Sequence, residues 1–305
     1  MPDDPLPRLG KVAICRHMRR ESRAAAGAPV GPPVPRIISK GDDWSIAEYP
    51  CNTGPCDRPF EETHKRFTIA AVVEGSFNYR TEAGRALLYP GAVMLGNFGK
   101  CFECGQDHSV GDRCIALHFA PEFFAEIAAT AAGYSEFTFP APMLQAGAPL
   151  TPLVVRFETL AAGACPLEIE ETVVRVGEAM LAALSGHTRA CVRVSARDER
   201  RIAHALRYIE RHATEQLNLD RLAKTAAMSK YHFVRTFQRI VGVPPYQFLL
   251  MVRMRRAAVR LIISSETVST IAFEAGFGDL SSFNKRFREL FGVTPLAHRR
   301  QGTLH

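Results

Sequence analysis

The sequence has no apolar run approaching the ~18 residues a membrane-crossing helix needs, so no membrane span is expected. Its opening residues, "MPDDPLPRLG", are acidic and proline-rich and lack the apolar stretch of a secretion signal, so none is read there. Without an export signal, the eight cysteines are expected as thiols or metal ligands rather than as a disulfide framework. Acidic residues are scarce where basic ones are dense. Residues 196–305 hold 19 Lys and Arg against 9 Asp and Glu, a net of +10, whereas residues 41–195 hold 11 against 19, a net of −8. The first forty hold 8 against 3, a net of +5. A basic C-terminal third beside an acidic middle points to a polyanion-binding module joined to something else, or to a merely solvated basic face.

What is present divides into four stretches. In residues 1–40, Pro, Gly and Ala crowd together in "AAAGAPVGPPVPR" without a period, which reads as a disordered leader. Its "RHMRRESR" is a solvated tail or a nucleic-acid contact. From Trp44 to Phe119 short β-rich runs such as "FTIAAVVEG" and "RCIALHFA" alternate with turn residues, the pattern of a small sandwich or barrel. The stretch from Pro121 to Gly186 has a helical stripe through Leu153, Phe157, Leu160 and Ala161, continued by Val174, Leu181 and Leu184. That stripe suits a homodimer seam or packing onto the β-region. Residues 41–186 thus form one domain, 187–197 a linker, and 198–300 a second domain.

The second domain is helical throughout and contains a repeat. "FVRTFQRIVGVPP" at Phe233–Pro245 returns fifty positions later as "FNKRFRELFGVTP" at Phe283–Pro295. In each copy a capping residue (Ser229, Asp279) precedes an amphipathic helix that a glycine ends (Gly242, Gly292). These helices, 229–241 and 279–291, each follow a shorter helix across a tight turn, which is a helix-turn-helix. The long segment "PPYQFLLMVRMRRAAVRLII" joins the two units. The shared Phe233/Phe237/Ile240 and Phe283/Phe287/Leu290 stripes hold each second helix to its own core. The opposite faces, with Tyr231, His232, Val234, Arg235, Gln238 and Arg239, then Leu280, Ser281, Asn284, Lys285 and Arg288, remain free to enter a DNA major groove. Arg and Lys suit guanine there, Asn suits adenine, and apolar atoms suit the thymine methyl.

The second unit, "IAFEAGFGDLSSFNKRFRELFGVTPLAHRR", resembles the C-terminal domain of the AraC/XylS family of bacterial transcription regulators. The likeness lies in the spacing of Ala272, Gly276, Phe277, Phe283, Phe287, Gly292 and Pro295. It covers Asp198 to Arg300, about a third of the chain. It implies an α+β protein of two domains, the second all-α with two helix-turn-helix units on a connecting helix. The implied DNA-contacting set is Ser229, Lys230, Tyr231, His232, Val234, Arg235 and Arg239 in the first unit. In the second it is Leu280, Ser281, Asn284, Lys285 and Arg288. Val234 and Leu280 stand where family members often carry a polar residue, so any contacts they make are apolar. The β-region is similar to the cupin-like sensory barrel at the front of this family, and "LLYPGAVMLGN" carries its Pro-Gly turn. No H-x-H followed by Glu is present, so the metal triad of cupin enzymes is missing.

"CFECGQDHSVGDRC" places Cys101, Cys104, His108 and Cys114 within fourteen residues. These suit a zinc site, a redox or electrophile sensor, or plain burial. Cys51, Cys56 and His64 are substitute ligands, while Cys15, Cys165 and Cys191 are isolated. The expected function is a cytoplasmic, DNA-binding transcription regulator, an activator among the options, and not an enzyme. Its expected partners are double-stranded promoter DNA, with RNA polymerase, a second copy of the chain and a small-molecule effector of unknown identity as further candidates. A zinc- or thiol-based stress sensor is the alternative, and an enzyme fused to a DNA-binding module the remoter one.

Overall fold

The computed structural model describes residues 33–52, 59–105, 111–133, 136–160, 166–185 and 194–302. Cys15, Cys56, His108, Cys165, Cys191, residues 187–193 of the linker and "RHMRRESR" lie outside the described residues.

The front half is built on β1 (Arg36–Lys40), β2 (Trp44–Cys51), β3 (Phe60–Thr63), β4 (Phe67–Gly75), β5 (Phe77–Thr81), β6 (Gly84–Leu88), β7 (Val93–Gly96), β8 (Cys101–Gly105) and β9 (Asp112–Phe119). Helix α1 (Pro121–Ala132), the two-residue β10 (Met143–Leu144), α2 (Thr151–Leu160) and α3 (Pro166–Ser185) follow. The strands form two sheets, ordered β1-β2-β9-β4-β7-β10 and β3-β8-β5-β6. No ladder joins them among the described residues, so of the two expected forms, sandwich or barrel, the described strands make two separate sheets without barrel closure. At one edge β10 is too short to carry a further strand, and at another β6 runs into the Pro90–Gly91 turn. Residues 36–40 also depart from the expected leader. They pair antiparallel with β2, Arg36 opposite Glu48, because the sheet edge supplies backbone partners that the sequence pattern does not reveal.

Alternation fixes what each sheet face does. On β9, Ile115, Leu117 and Phe119 point outward, where α1, α2 and α3 cover them with Phe124, Ile127, Val154, Phe157, Val173 and Met180 in one cluster. Cys114, Ala116 and His118 point between the two sheets.

The helical half runs α4 (Ala196–Arg211), α5 (Leu219–Thr225), α6 (Lys230–Val241), α7 (Pro245–Ile263), α8 (Val268–Glu274), α9 (Leu280–Phe291) and α10 (Pro295–Gly302). A second buried cluster runs from the sandwich (Phe77, Tyr79, Leu88, Tyr89, Phe102) into α4, α6 and α7 through Ile202, Leu206, Phe233, Phe237 and Phe248. The two halves therefore share apolar packing, with Tyr89 and Phe248 edge to face at 6.0 Å. Buried Arg255 on α7 adds a polar tie, donating to Glu158 of α2 at 3.1 Å and to the Val73 carbonyl of β4 at 3.0 Å. No helix among the described residues is long and apolar enough to cross a membrane.

Candidate nucleic-acid interface and ligand cavity

In both units the second helix is set by the same three devices. The Ser229 hydroxyl accepts from the His232 amide at 3.3 Å, and the Asp279 carboxylate accepts from the Ser282 amide at 2.7 Å. Each satisfies a first-turn N–H that has no partner within the helix. Phe233 and Phe237, and Phe283 and Phe287, are fully buried. Gly242 and Gly292 close the helices with φ of +87° and +74°. The turns differ. Both use a positive φ after the first helix, at Ala227 (+48°) and Gly276 (+85°), but the second turn is one residue longer because Gly278 precedes its cap.

Arg253 of α7 stitches the turns together. Its guanidinium donates to the Ala213 carbonyl at 2.6 Å and the Glu215 carbonyl at 2.7 Å before unit one, and to the Gly276 carbonyl at 2.9 Å in unit two. A Cβ on Gly276 would stand 2.9 Å from the Thr214 carbonyl oxygen and 3.0 Å from the Arg253 guanidinium carbon, so this close approach needs glycine. Three directional bonds from a rigid fork fix the spacing of the two units. Sequence reading missed Arg253, since nothing in its position on α7 distinguishes it from Arg255 or Arg256.

The expected contact residues, Val234 apart, are exposed. Ser229, Lys230, Tyr231, His232, Arg235 and Arg239 are exposed on α6 and its cap, with Gln238 beside them. Val234 is half-buried against the core rather than free, because the helix turns it toward Phe233 and Phe237. On α9, Leu280, Ser281, Asn284, Lys285 and Arg288 are exposed, and so are Ser282 and Arg286, which sequence reading did not name. Arg235 is already ordered: it donates to the Tyr231 hydroxyl at 2.9 Å and lies over that ring at 5.5 Å.

Between the sheets lies a cavity of about 310 Å³. Phe60, Phe77, Phe102, Met94, Ala70 and Ala116 give it apolar walls, and Cys51, Cys104 and Cys114 add thiols. Two histidine relays line it. The Tyr79 hydroxyl donates to the Leu95 carbonyl at 3.1 Å, so the His64 Nε2–H must donate to Tyr79 at 2.7 Å. Burial drives the His64 pKa down to about 3, so the ring is neutral and stacks on Phe102 at 4.1 Å. Gly96 makes room for it, since a Cβ there would come within 2.4 Å of the imidazole. His118 bridges the Tyr49 hydroxyl at 2.8 Å and the Thr68 hydroxyl at 3.0 Å, and burial followed by the nearby Arg66 charge lowers its pKa to about 4. The alternation of "DRCIALHF" carried the signal for this inward face, with Cys114, Ala116 and His118 spaced by two.

The cysteine cluster is divided: Cys104 and Cys114 meet Cys51 at the cavity, and Cys101 stands apart. Residues three apart on a strand point to opposite faces, so Cys101 lies outside, 3.6 Å from the Thr63 hydroxyl, while Cys104 lines the cavity. Cys101 is moreover disulfide-bonded, against the expectation of free thiols. Burial, then the neighbouring Asp112 carboxylate, pushes the Cys104 and Cys114 thiols well above their usual range, opposite to the lowered value of a reactive thiol sensor. Among the described residues no group of three or more His, Cys, Asp or Glu is placed to hold a metal ion.

A family model described as a helix-turn-helix domain matches residues 222–301. The Transposon Tn10 TetD protein of Escherichia coli is 34% identical over 99 residues, which are 32% of this chain and 72% of TetD. The HTH-type transcriptional activator AarP of Providencia stuartii is 33% identical over 102 residues, 33% of this chain and 76% of AarP. Other curated relatives are matched over only about a third of their own length. Among solved structures, the DNA-binding domain of AdpA in complex with a target DNA is 30% identical, covering 33% of this chain and 90% of that one, with a TM-score of 0.32.

Proposed function

This chain belongs to the AraC/XylS family of sequence-specific DNA-binding transcription regulators, and from that premise we propose that α6 and α9 are its two reading helices and that the front half is a cupin-like sensor. The observation that carries the proposal is the pair of equivalently capped helices with buried aromatic inner faces and exposed polar outer faces, held together by Arg253. Presented this way, the helices suit successive major grooves on one side of a duplex, about 34 Å apart. Lys230, Arg235, Arg239, Lys285 and Arg288 supply charge toward phosphates and base edges, so affinity falls steeply with salt. Ser229, Tyr231, His232, Leu280, Ser281 and Asn284 complete the contact surface, and Val234 contributes through whatever edge it leaves uncovered.

The cavity is the sensor site in this reading. Its apolar walls and two neutral histidines favour a small, largely uncharged effector over a strongly charged one. As with the activator AarP, the response is activation, through contact with RNA polymerase at the promoter, and a homodimer is the form that would pair two half-sites. The zinc-sensor alternative is not carried forward, because Cys101 and Cys104 face apart.

Arg235→Ala tests the reading directly. If Arg235 grips one base bidentately, affinity of the full-length protein for its site falls by about 1–3 kcal/mol and discrimination is lost at that base alone. An equal loss on every duplex sequence, measured by competition with randomised sites, would leave Arg235 a phosphate contact and remove the first reading helix from specificity.

A further inference from the structure

A cleft of about 450 Å³ separates the ends of β2, β4 and β9 from helices α4 and α7. Arg207, Arg211 and Arg256 line it from the helical side, and Glu74, Asp112 and Arg113 from the sandwich. The charges on the two walls are not equally committed. Arg113 is held by Glu48 at 2.9 Å and by Glu74 at 3.2 Å, so those groups neutralise one another. On the facing wall the Arg207 Nη1 is buried without a hydrogen-bond partner, its other terminal nitrogen meeting only the His204 ring at 2.9 Å. Arg211 and Arg256 make no hydrogen bond or ion pair with any described residue. Burial, then repulsion from Arg211, lowers the proton affinity of Arg207, and Glu210 alone opposes the shift. Three guanidiniums against that one carboxylate leave the helical wall net positive, an excess that a bound anion would offset.

We propose that this cleft is a second ligand site, between the two halves of the molecule, which takes a small multivalent oxyanion on Arg207, Arg211 and Arg256. It adjoins the cavity between the sheets, with Cys51 and Asp112 lining both, but its arginines belong to neither that cavity nor the DNA-facing helices, and it does not depend on either assignment. Guanidinium forks match the oxygen spacing of phosphate, sulfate and carboxylate, and a bound anion there would tie α4 and α7 to the strand ends across the cleft.

Glu210 makes the site sensitive to pH. It is buried on α4 and lines the same cleft, and burial raises its pKa to about 7 despite the nearby Arg255, Arg256 and Arg207. The charged groups acting on it are Arg255 and Arg256 on α7, Glu74 on the sandwich and Arg207 on α4, while Arg211, Asp112 and Arg113 line the same cleft. When Glu210 takes up a proton the cleft gains net positive charge, so anion binding strengthens as pH falls through about 7.

Sulfate is a suitable probe because it stays doubly charged across this range. Calorimetric titration of sulfate into the DNA-free full-length protein, at ionic strength matched with chloride, should show one saturable site. Its affinity should rise from pH 8 to pH 6. In an Arg211→Gln/Arg256→Gln variant the affinity should drop by about tenfold or more, given the strength of charge-assisted contacts. In Glu210→Gln it should be raised at pH 8 and lose its pH dependence. Sulfate binding that the double variant leaves intact would place the anion elsewhere and overturn the proposal, as would the absence of a saturable site. Duplex binding in chloride buffer separates the two sources of phosphate. An unchanged affinity in the double variant supports a small-ion site, whereas a loss on all sequences would make these arginines DNA-backbone contacts.

Discussion

The two helix-turn-helix units share their inner faces and differ in what holds their outer ends. The last turn of α6 is gripped by the sandwich: Tyr89 donates to the Val241 carbonyl at 2.8 Å, and Gln145 donates to the Ile240 carbonyl at 2.7 Å. A Cβ on Gly242 would come within 2.7 Å of the Gln145 side chain. At the matching end of α9, a Cβ on Gly292 would meet nothing within 4 Å. Unit two touches the front half instead through Val155 of α2, which joins the cluster of Phe283 and Phe287. A repeated motif thus serves two roles. The residues that coincide make each helix, and the residues around them decide that unit one carries the polar connection to the front half.

Five substitutions sharpen or break that contrast. The largest effect is expected for Phe237→Ala and Phe287→Ala, each costing about 3–5 kcal/mol in chemical denaturation because a fully buried ring leaves a cavity. Comparable losses show that the units contribute equally to one fold; a negligible loss at either would mean that its core can collapse, and the equivalence of the repeats would fail. Next is Tyr89→Phe, expected to cost about 1–3 kcal/mol because it strips the Val241 carbonyl of its donor and the Ala146 amide of its acceptor inside the core. Amide exchange should quicken in α6 and not in α9. Equal quickening in both would dissolve the asymmetry.

The smallest effect lies in the turns. Ala227 holds a left-handed backbone where the second unit has Gly276. Ala227→Gly should stabilise by about 0.5 kcal/mol, the relief of the strained conformation outweighing the extra freedom of glycine in the unfolded chain. Gly276→Ala should destabilise by more than that, since its Cβ meets the Thr214 carbonyl and Arg253 as well. A melting temperature that falls in the first variant and rises in the second would reverse the assignment of strain.

The helical half was legible because its signals are local. A cap, a stripe of period 3.6 and a terminal glycine lie within a dozen residues of one another, and the repeat displayed them twice. The β-region was legible only in outline. Its runs predicted strands, but whether they close into a barrel depends on which edges meet, and no local pattern encodes that. The cysteine cluster was legible only in part for the same reason: Cys104 and Cys114 share the cavity with Cys51, whereas a spacing of three on a strand sends Cys101 and Cys104 to opposite faces. His64 was visible only as a spare ligand, and its hydrogen bond to Tyr79 becomes apparent only across the sheet.

By itself, then, the order of amino acids determined that this protein carries two helix-turn-helix units, which aromatic residues turn inward, and, Val234 apart, which of the named outer residues are exposed, since each of those facts follows from contacts along a single helix. Only the tertiary structure decided how far apart the units stand, through Arg253, and how the front half takes hold, through Tyr89, Gln145 and Arg255. It also created the cavity and the arginine-lined cleft. These depend on side chains brought together from distant parts of the chain, whose meeting is settled by the packing of whole sheets and helices.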